Sequence, residues 1–225
     1  MRRGAYLPMV RWWWVMVGSG ISLDAGRRGQ GLGTLPGRTN RRAIAVSADG
    51  SVVVGSSYNL PSWDKEEAFV WTQAGRMAGL GHQPGGSTSF PNAISPEGSV
   101  IAGTASSSSG STAFRWSRSA GMVSIGHLPG RRLTHPGSVA ADGSVIVGAS
   151  FVDRNHATAF TWDSAHGMRS LQSVLQTEYG LDQAGWTLAN AAGITPDGLV
   201  IVGWGTNPAG HVEAFRVTLP AQPAK

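Results

Sequence analysis

Four times along this chain the same short phrase recurs, and that recurrence restricts the fold more than any other property of the sequence. It reads Ser-Ala-Asp-Gly-Ser-Val-Val-Val-Gly at 47–55 and Ser-Pro-Glu-Gly-Ser-Val-Ile-Ala-Gly at 95–103. It returns as Ala-Ala-Asp-Gly-Ser-Val-Ile-Val-Gly at 140–148 and Thr-Pro-Asp-Gly-Leu-Val-Ile-Val-Gly at 195–203. A second phrase keeps step: Ala68-Phe69-Val70-Trp71, Ala113-Phe114-Arg115-Trp116, Ala159-Phe160-Thr161-Trp162, and a degraded Ala214-Phe215-Arg216-Val217. The turn glycines Gly50, Gly98, Gly143 and Gly198 stand 48, 45 and 55 residues apart. Self-similarity at that period marks a repeat architecture, in which each unit buries its apolar face against its neighbours.

One unit, 76–116, reads as four short strands: 77–81, 92–95, 99–104 and 112–117. Asp-Gly between two strand-like runs is the strongest short hairpin signal, because the tight turn needs a positive φ where glycine sits. Asp49, Glu97, Asp142 and Asp197 are therefore expected to be turn-formers on separate units, with no two obliged to meet. The strand after each turn is almost wholly aliphatic, as in Val52-Val53-Val54 and Val145-Ile146-Val147, so both of its faces should be covered. Phe69 with Trp71, and their counterparts, stand two apart and point to one face.

Four-stranded units with covered faces and a recurring aromatic pair fit blades stacked around an axis. The expected fold is all-β, a β-propeller of four repeats of about 45 residues. A solenoid coil would be shorter per repeat, and a sandwich would not repeat itself. One helix is expected, at 170–179, where Leu171, Val174 and Leu175 share a face and Gly180 supplies the stop.

Counting strands adds an offset. The Phe/Trp strands end with 212–219, whereas the Leu-Gly strands begin earlier, at 31–35. The chain thus opens on the outer strand of a blade whose other three strands come last. Pairing of 31–35 with 212–219 would let the termini complete that blade and close a four-bladed ring. The alternative is part of a longer array that begins in mid-repeat.

With 225 residues, one repeat domain spans 28–219, preceded by 1–27 and followed by a tail at 220–225. Arg2, Arg3 and Arg11 before the apolar run 12–17 resemble an export signal. Equally, Val15-Met16-Val17-Gly18-Ser19 echoes 52–56 and could be a degenerate strand; neither reading is a stable membrane span. The chain has no cysteine, which excludes disulfides and thiol chemistry. Its formal charge of +5 is carried almost wholly by arginine.

The unit Leu32-Gly33-Thr34-Leu35-Pro36-Gly37, then Ser47 to Gly55, then Ala68 to Trp71 resembles that of the HAF family of bacterial extracellular repeat proteins. The resemblance covers about 29–219. It implies an exported, propeller-like protein of the cell envelope, and it lends no catalytic residues. The last unit departs from the pattern: it lacks the Leu-Pro-Gly loop, and Val217 replaces its tryptophan.

No serine-hydrolase elbow, zinc-protease helix, phosphate loop or calcium loop occurs. His82 and His127 are repeat-equivalent, yet the first unit has Thr34 there, so no metal site or cofactor is expected. What varies between repeats are the loops entering the inner strand and joining the middle strands, which emerge on one face. Variable loops on a repeated scaffold are where binding usually resides. Their candidate contacts are Arg38, Arg41, Arg42, Trp63 and Lys65 from the first unit, with Arg131, Arg132, His135, Arg154 and His156 from the third. Basic side chains with an aromatic suit an anionic polysaccharide or another envelope component; nucleic acid is not expected, and the oligomeric state is left open. The expected function is non-enzymatic, a binding or scaffold module. The rival is a propeller lyase or hydrolase using Asp64, Glu66 or Asp153, and a pocket joining two carboxylates, or a carboxylate and a histidine, would favour it.

Overall fold

The computed structural model describes residues 21–22, 30–61, 65–108, 110–153 and 156–220. The leader and tail thus lie mostly outside the described residues, as do Trp63, Asp64 and Arg154. Among the described residues the fold is all-β apart from one short helix. Two short strands come first, β1 (Ile21–Ser22) and β2 (Gln30–Gly31), paired with each other. Unit one follows as β3 (Asn40–Val46), β4 (Val52–Tyr58), β5 (Glu67–Thr72) and β6 (Arg76–Gly79). Unit two is β7 (Ser89–Ile94), β8 (Val100–Ser107), β9 (Gly110–Ser117) and β10 (Gly121–Gly126). Unit three is β11 (Leu133–Val139), β12 (Val145–Asp153), β13 (His156–Asp163) and β14 (Gly167–Ser170). After α1 (Leu171–Thr177), unit four has β15 (Thr187–Ile194), β16 (Val200–Thr206) and β17 (Val212–Thr218). Each unit is an antiparallel meander, and one parallel bridge, Leu133 with Ser111, ties unit three to unit two.

The hairpins form where the sequence places them. Gly50, Gly98, Gly143 and Gly198 sit at φ of 74°, 73°, 68° and 75°, a region that costs a side chain but not glycine. The acid before each glycine locks the turn where it is aspartate: Asp49 accepts from Ser47 and Ser51, Asp142 from Ser144, and Asp197 from Thr195 and Leu199. The two recurring phrases are physically joined. Phe69, Phe114 and Phe160 lie over Gly55, Gly103 and Gly148 of the neighbouring strand, and Phe215 over Gly203. A Cβ at Gly55, Gly148 or Gly203 would fall 2.6, 2.7 or 2.8 Å from a ring carbon, and Gly103 is similarly crowded. That is why Val-x-Gly and Ala-Phe recur together.

The apolar core sits between the sheets. Val54 and Ala68 of unit one are buried against Leu80, Ile101 and Phe114. Ala102 and Ala113 of unit two meet Ile125, Leu128, Ile146 and Phe160, and Val147 and Ala159 of unit three meet Leu171, Leu175, Leu188 and Ile201. The inner strands β3, β7, β11 and β15 adjoin in that order. The turns dock as well: Ala48 N–H donates to Pro96 C=O at 2.8 Å, and Ala141 N–H to Pro196 C=O at 2.9 Å. Pro96 has no N–H to pass on; there Arg115 Nε donates to Gly143 C=O at 3.3 Å instead.

Two expectations are corrected. Residues 31–35 do not pair with 212–219: Gly31 pairs with Ile21, and β17 pairs with β16 alone among the described residues. Residues 32–35 are not a strand because Gly33 (φ 88°) breaks the extended run, and Leu32 and Leu35 turn inward and are buried. No packing comparable to the three junctions joins unit four to unit one among the described residues, so the array is open there. As a result the aliphatic strand of unit four is covered on one face only, with Val202 44% exposed where Val54 and Val147 are fully buried.

Candidate functional site

Strands β3, β7, β8, β9 and β11, with the loops before β5 and β7, border a cavity of about 230 Å³ lined by Arg42, Glu66, Phe90, Thr104 and His135. Arg41, Arg42 and His135, expected in loops, lie within strands because the extended runs begin earlier than their turn residues suggest. Arg42 is placed by its strand beside unit two. Its guanidinium lies 4.8 Å from the Phe90 ring centre and 5.7 Å from that of Tyr58, within cation–π range. Glu66 closes a compact network: it pairs with Arg42 at 2.9 Å and accepts from Ser56 Oγ at 2.5 Å, while Arg42 Nε also donates to Ser56 Oγ. His135, exposed at the rim, sits edge-on to Phe151 at 5.5 Å, and the partial loss of water around its ring lowers its pKa from the ordinary histidine value. A neutral imidazole, an arginine and an aromatic ring thus share one cleft. Glu66 and His135 border it together, but no hydrogen bond joins them, and the carboxylate is committed to Arg42 and Ser56.

The other expected contacts are divided in their roles. Arg38 is largely buried and lies 3.8 Å from Glu67. Arg131 donates to His156 C=O at 3.0 Å and to Thr158 Oγ1 at 2.6 Å, which staples its loop to β13. His156 Nδ1 meets Asp153 at 2.8 Å. Lys65 and Arg132 are exposed, and Arg41 is half-buried with its Nε lacking a hydrogen-bond partner. The uniformly basic face expected from the loops is therefore smaller: Arg38, Arg42 and Arg131 act inside the fold. Their partners are set by strand register, which spacing in the sequence does not reveal.

On the opposite, turn-bearing side a larger cavity of about 470 Å³ lies between units three and four. Glu97, Asp142 and Asp197, from three successive turns, all border it. No hydrogen bond or ion pair joins any two of these three carboxylates; each stays with its own turn, as expected. Asp163 and Glu178 converge there on Arg169, the first at 2.8 Å. Burial pushes the Asp163 pKa up, but hydrogen bonds from His166, Ala165 and Arg169 outweigh it and leave the pKa low. Among the described residues no cluster of three His, Cys, Asp or Glu side chains is arranged to hold a metal ion. Among them, too, no helix is long and apolar enough to cross a membrane.

No family model and no curated protein matches the chain. Solved structures do. TolB from Acinetobacter baumannii superposes with a TM-score of 0.54 at 13% identity, covering 86% of this chain and 44% of that one. A putative TolB from Agrobacterium tumefaciens gives 0.51 at 14% identity over 85% of this chain and 70% of its own length. A prolyl endopeptidase gives 0.56 at 12% identity over 88% of this chain and 30% of the enzyme. The chain thus spans less than half of two of these three proteins. At such identities the likeness establishes a β-propeller type of fold and nothing more specific.

Proposed function

We propose that this protein is an exported propeller module of the bacterial cell envelope that binds rather than converts its ligand. We further propose that the ligand is an anionic glycan held on the loop-bearing face. The observation that carries this reading is the cleft of Arg42, Phe90 and His135, with exposed Lys65 and Arg132 on the same side. An aromatic ring and a partly screened arginine suit a sugar ring and its carboxylate, and flanking cations raise the local concentration of polyanions. The resemblance to HAF extracellular repeats and the TolB-like fold support an envelope location. The blade count of the complete propeller belongs to the same proposal: the four units make four blades, the last one lacking its outer strand.

The test is calorimetric titration of the full chain with an acidic polysaccharide at low and high salt. Lys65→Ser with Arg132→Ser should remove most of the binding, whereas Arg76→Ser with Arg118→Ser, exposed on the turn side, should leave it intact. Screening over ~10 Å at about 0.1 M salt should weaken it. Equal loss from both pairs would mean that only net charge matters and that the site does not exist. The enzymatic alternative rests on Glu66 and His135 sharing one cleft. Shortening of the polysaccharide that stops in Glu66→Gln would establish it in place of binding alone.

A further inference from the structure

The three junctions between units share one set of small apolar side chains, and unit four carries the same set on its outer face. At each junction the leading unit offers one valine or alanine on its second strand and one alanine on its third. These are Val54 and Ala68, Ala102 and Ala113, and Val147 and Ala159, all fully buried. Their counterparts in unit four are Val202 and Ala214, paired across the strands with Arg216 and Trp204. Here Val202 and Trp204 are 44% and 41% exposed, and Ala214 and Arg216 are exposed as well. An apolar strip on an open sheet, continuous with an edge strand, is an association surface.

Unit one carries the other half. At the first two junctions the turn glycine of the following unit rests on the leading unit's valine: a Cβ on Gly98 would meet Val52 at 2.8 Å, and one on Gly143 would meet Val100 at 2.3 Å, whereas Gly198 at the third has open space around it. The whole turn 48–51 is exposed, whereas Thr195 and Gly198 of the turn at the formed third junction are partly covered. The matching valine at the far end is Val200. The donor is also in place. Pro196, like Pro96, has no N–H, and Arg216 stands where Arg115 reaches the Gly143 carbonyl. No hydrogen bond or ion pair engages Arg216 among the described residues, and Gly50 C=O is the acceptor equivalent to that of Gly143.

We infer that the face of unit four formed by Val202, Trp204, Ala214 and Arg216 takes unit one of a second copy of this chain, the Gly50 turn seated on Val200. The two halves belong to one molecule but do not meet within it, since unit four and unit one are not packed together and β2 is engaged with β1. Complementary faces at opposite ends of a protomer associate head to tail. This assembly is independent of glycan binding, which lies on the loop side.

The absence of cysteine makes the test direct. Ala48→Cys with Pro196→Cys should give disulfide-linked dimers and longer ladders on mild oxidation, as Pro96→Cys with Ala141→Cys should give a link within one chain. Sedimentation of the cysteine-free protein should show mass rising with concentration. Ala214→Asp, a change at an exposed position that leaves the fold intact, should abolish that rise, and Arg216→Ala should weaken association about tenfold, as loss of a charged hydrogen bond does. A purely intrachain 48–196 disulfide would overturn the proposal in favour of ring closure. A constant monomer mass, or association indifferent to Ala214→Asp, would overturn it outright.

Discussion

At Gly148 a methyl group has nowhere to go. The Phe160 ring and the His135 carbonyl occupy the space, so Gly148→Ala should cost about 2–3 kcal/mol, as overpacking a close-fitted core does. Gly130, at φ 74° with open space around it, should cost only the left-handed backbone penalty, about 1 kcal/mol on replacement by alanine. Urea denaturation of the two variants checks the order. The turn acids act through charge. Hydrogen bonds, first from the Ser47 side chain and then from Ser51, lower the Asp49 pKa from 3.8 to about 2. A carboxylate whose pKa is depressed on folding stabilises the fold above the unfolded value and loses that contribution as pH falls through the folded one. Wild type should therefore lead Asp49→Asn in melting temperature at neutral pH, and the gap should close between about pH 4 and pH 2. These turns were legible because Asp-Gly is chemically explicit. The pairing of each phenylalanine with its glycine was not, since only strand register brings 69 to 55.

Among the elements, α1 shows how an insertion was absorbed. Ser170 caps it, accepting from Ser173 N–H, and Leu171, Val174 and Leu175 are buried. Leu171 and Leu175 fill the third junction, where Leu80 and Ile125 fill the first and second. Leu175→Ala should cost about 2–4 kcal/mol in thermal denaturation, and Gln176→Ala, on the exposed side, close to nothing. Strand β17 is the element with the least cover. Its amides should exchange with deuterium sooner than those of β13, its counterpart in unit three, because opening it exposes little buried surface. Helix 170–179 could be read from the shared face of its leucines. Residues 32–35 misled, because Leu-Gly-x-Leu looks extended until Gly33 adopts a positive φ. Of the arginines read as binding contacts, Glu66, Glu67 and Thr158 claim three through contacts that no local spacing encodes.

For the molecule as a whole, period and hairpin chemistry were sufficient to read an all-β repeat of stacked four-stranded sheets, and the TolB-like superposition agrees with a propeller type of fold. Closure was not readable in the same way, because a repeat sequence specifies the junction between neighbours and leaves open how many neighbours meet. The three junctions also differ in one detail with a consequence for how such an array can change. Where Ala48 or Ala141 supplies a main-chain donor, the bond between turns survives almost any substitution, since every residue but proline carries the same N–H. Where Pro96 removes that donor, the bond passes to the Arg115 side chain, and a single codon can then abolish it. Restoring the amide with Pro96→Ala should make Arg115 dispensable, so the cost of Arg115→Ala in denaturant should shrink in the double variant. The Pro96 junction is thus the adjustable one, the place where the grip of one sheet on the next can be tuned without disturbing either sheet.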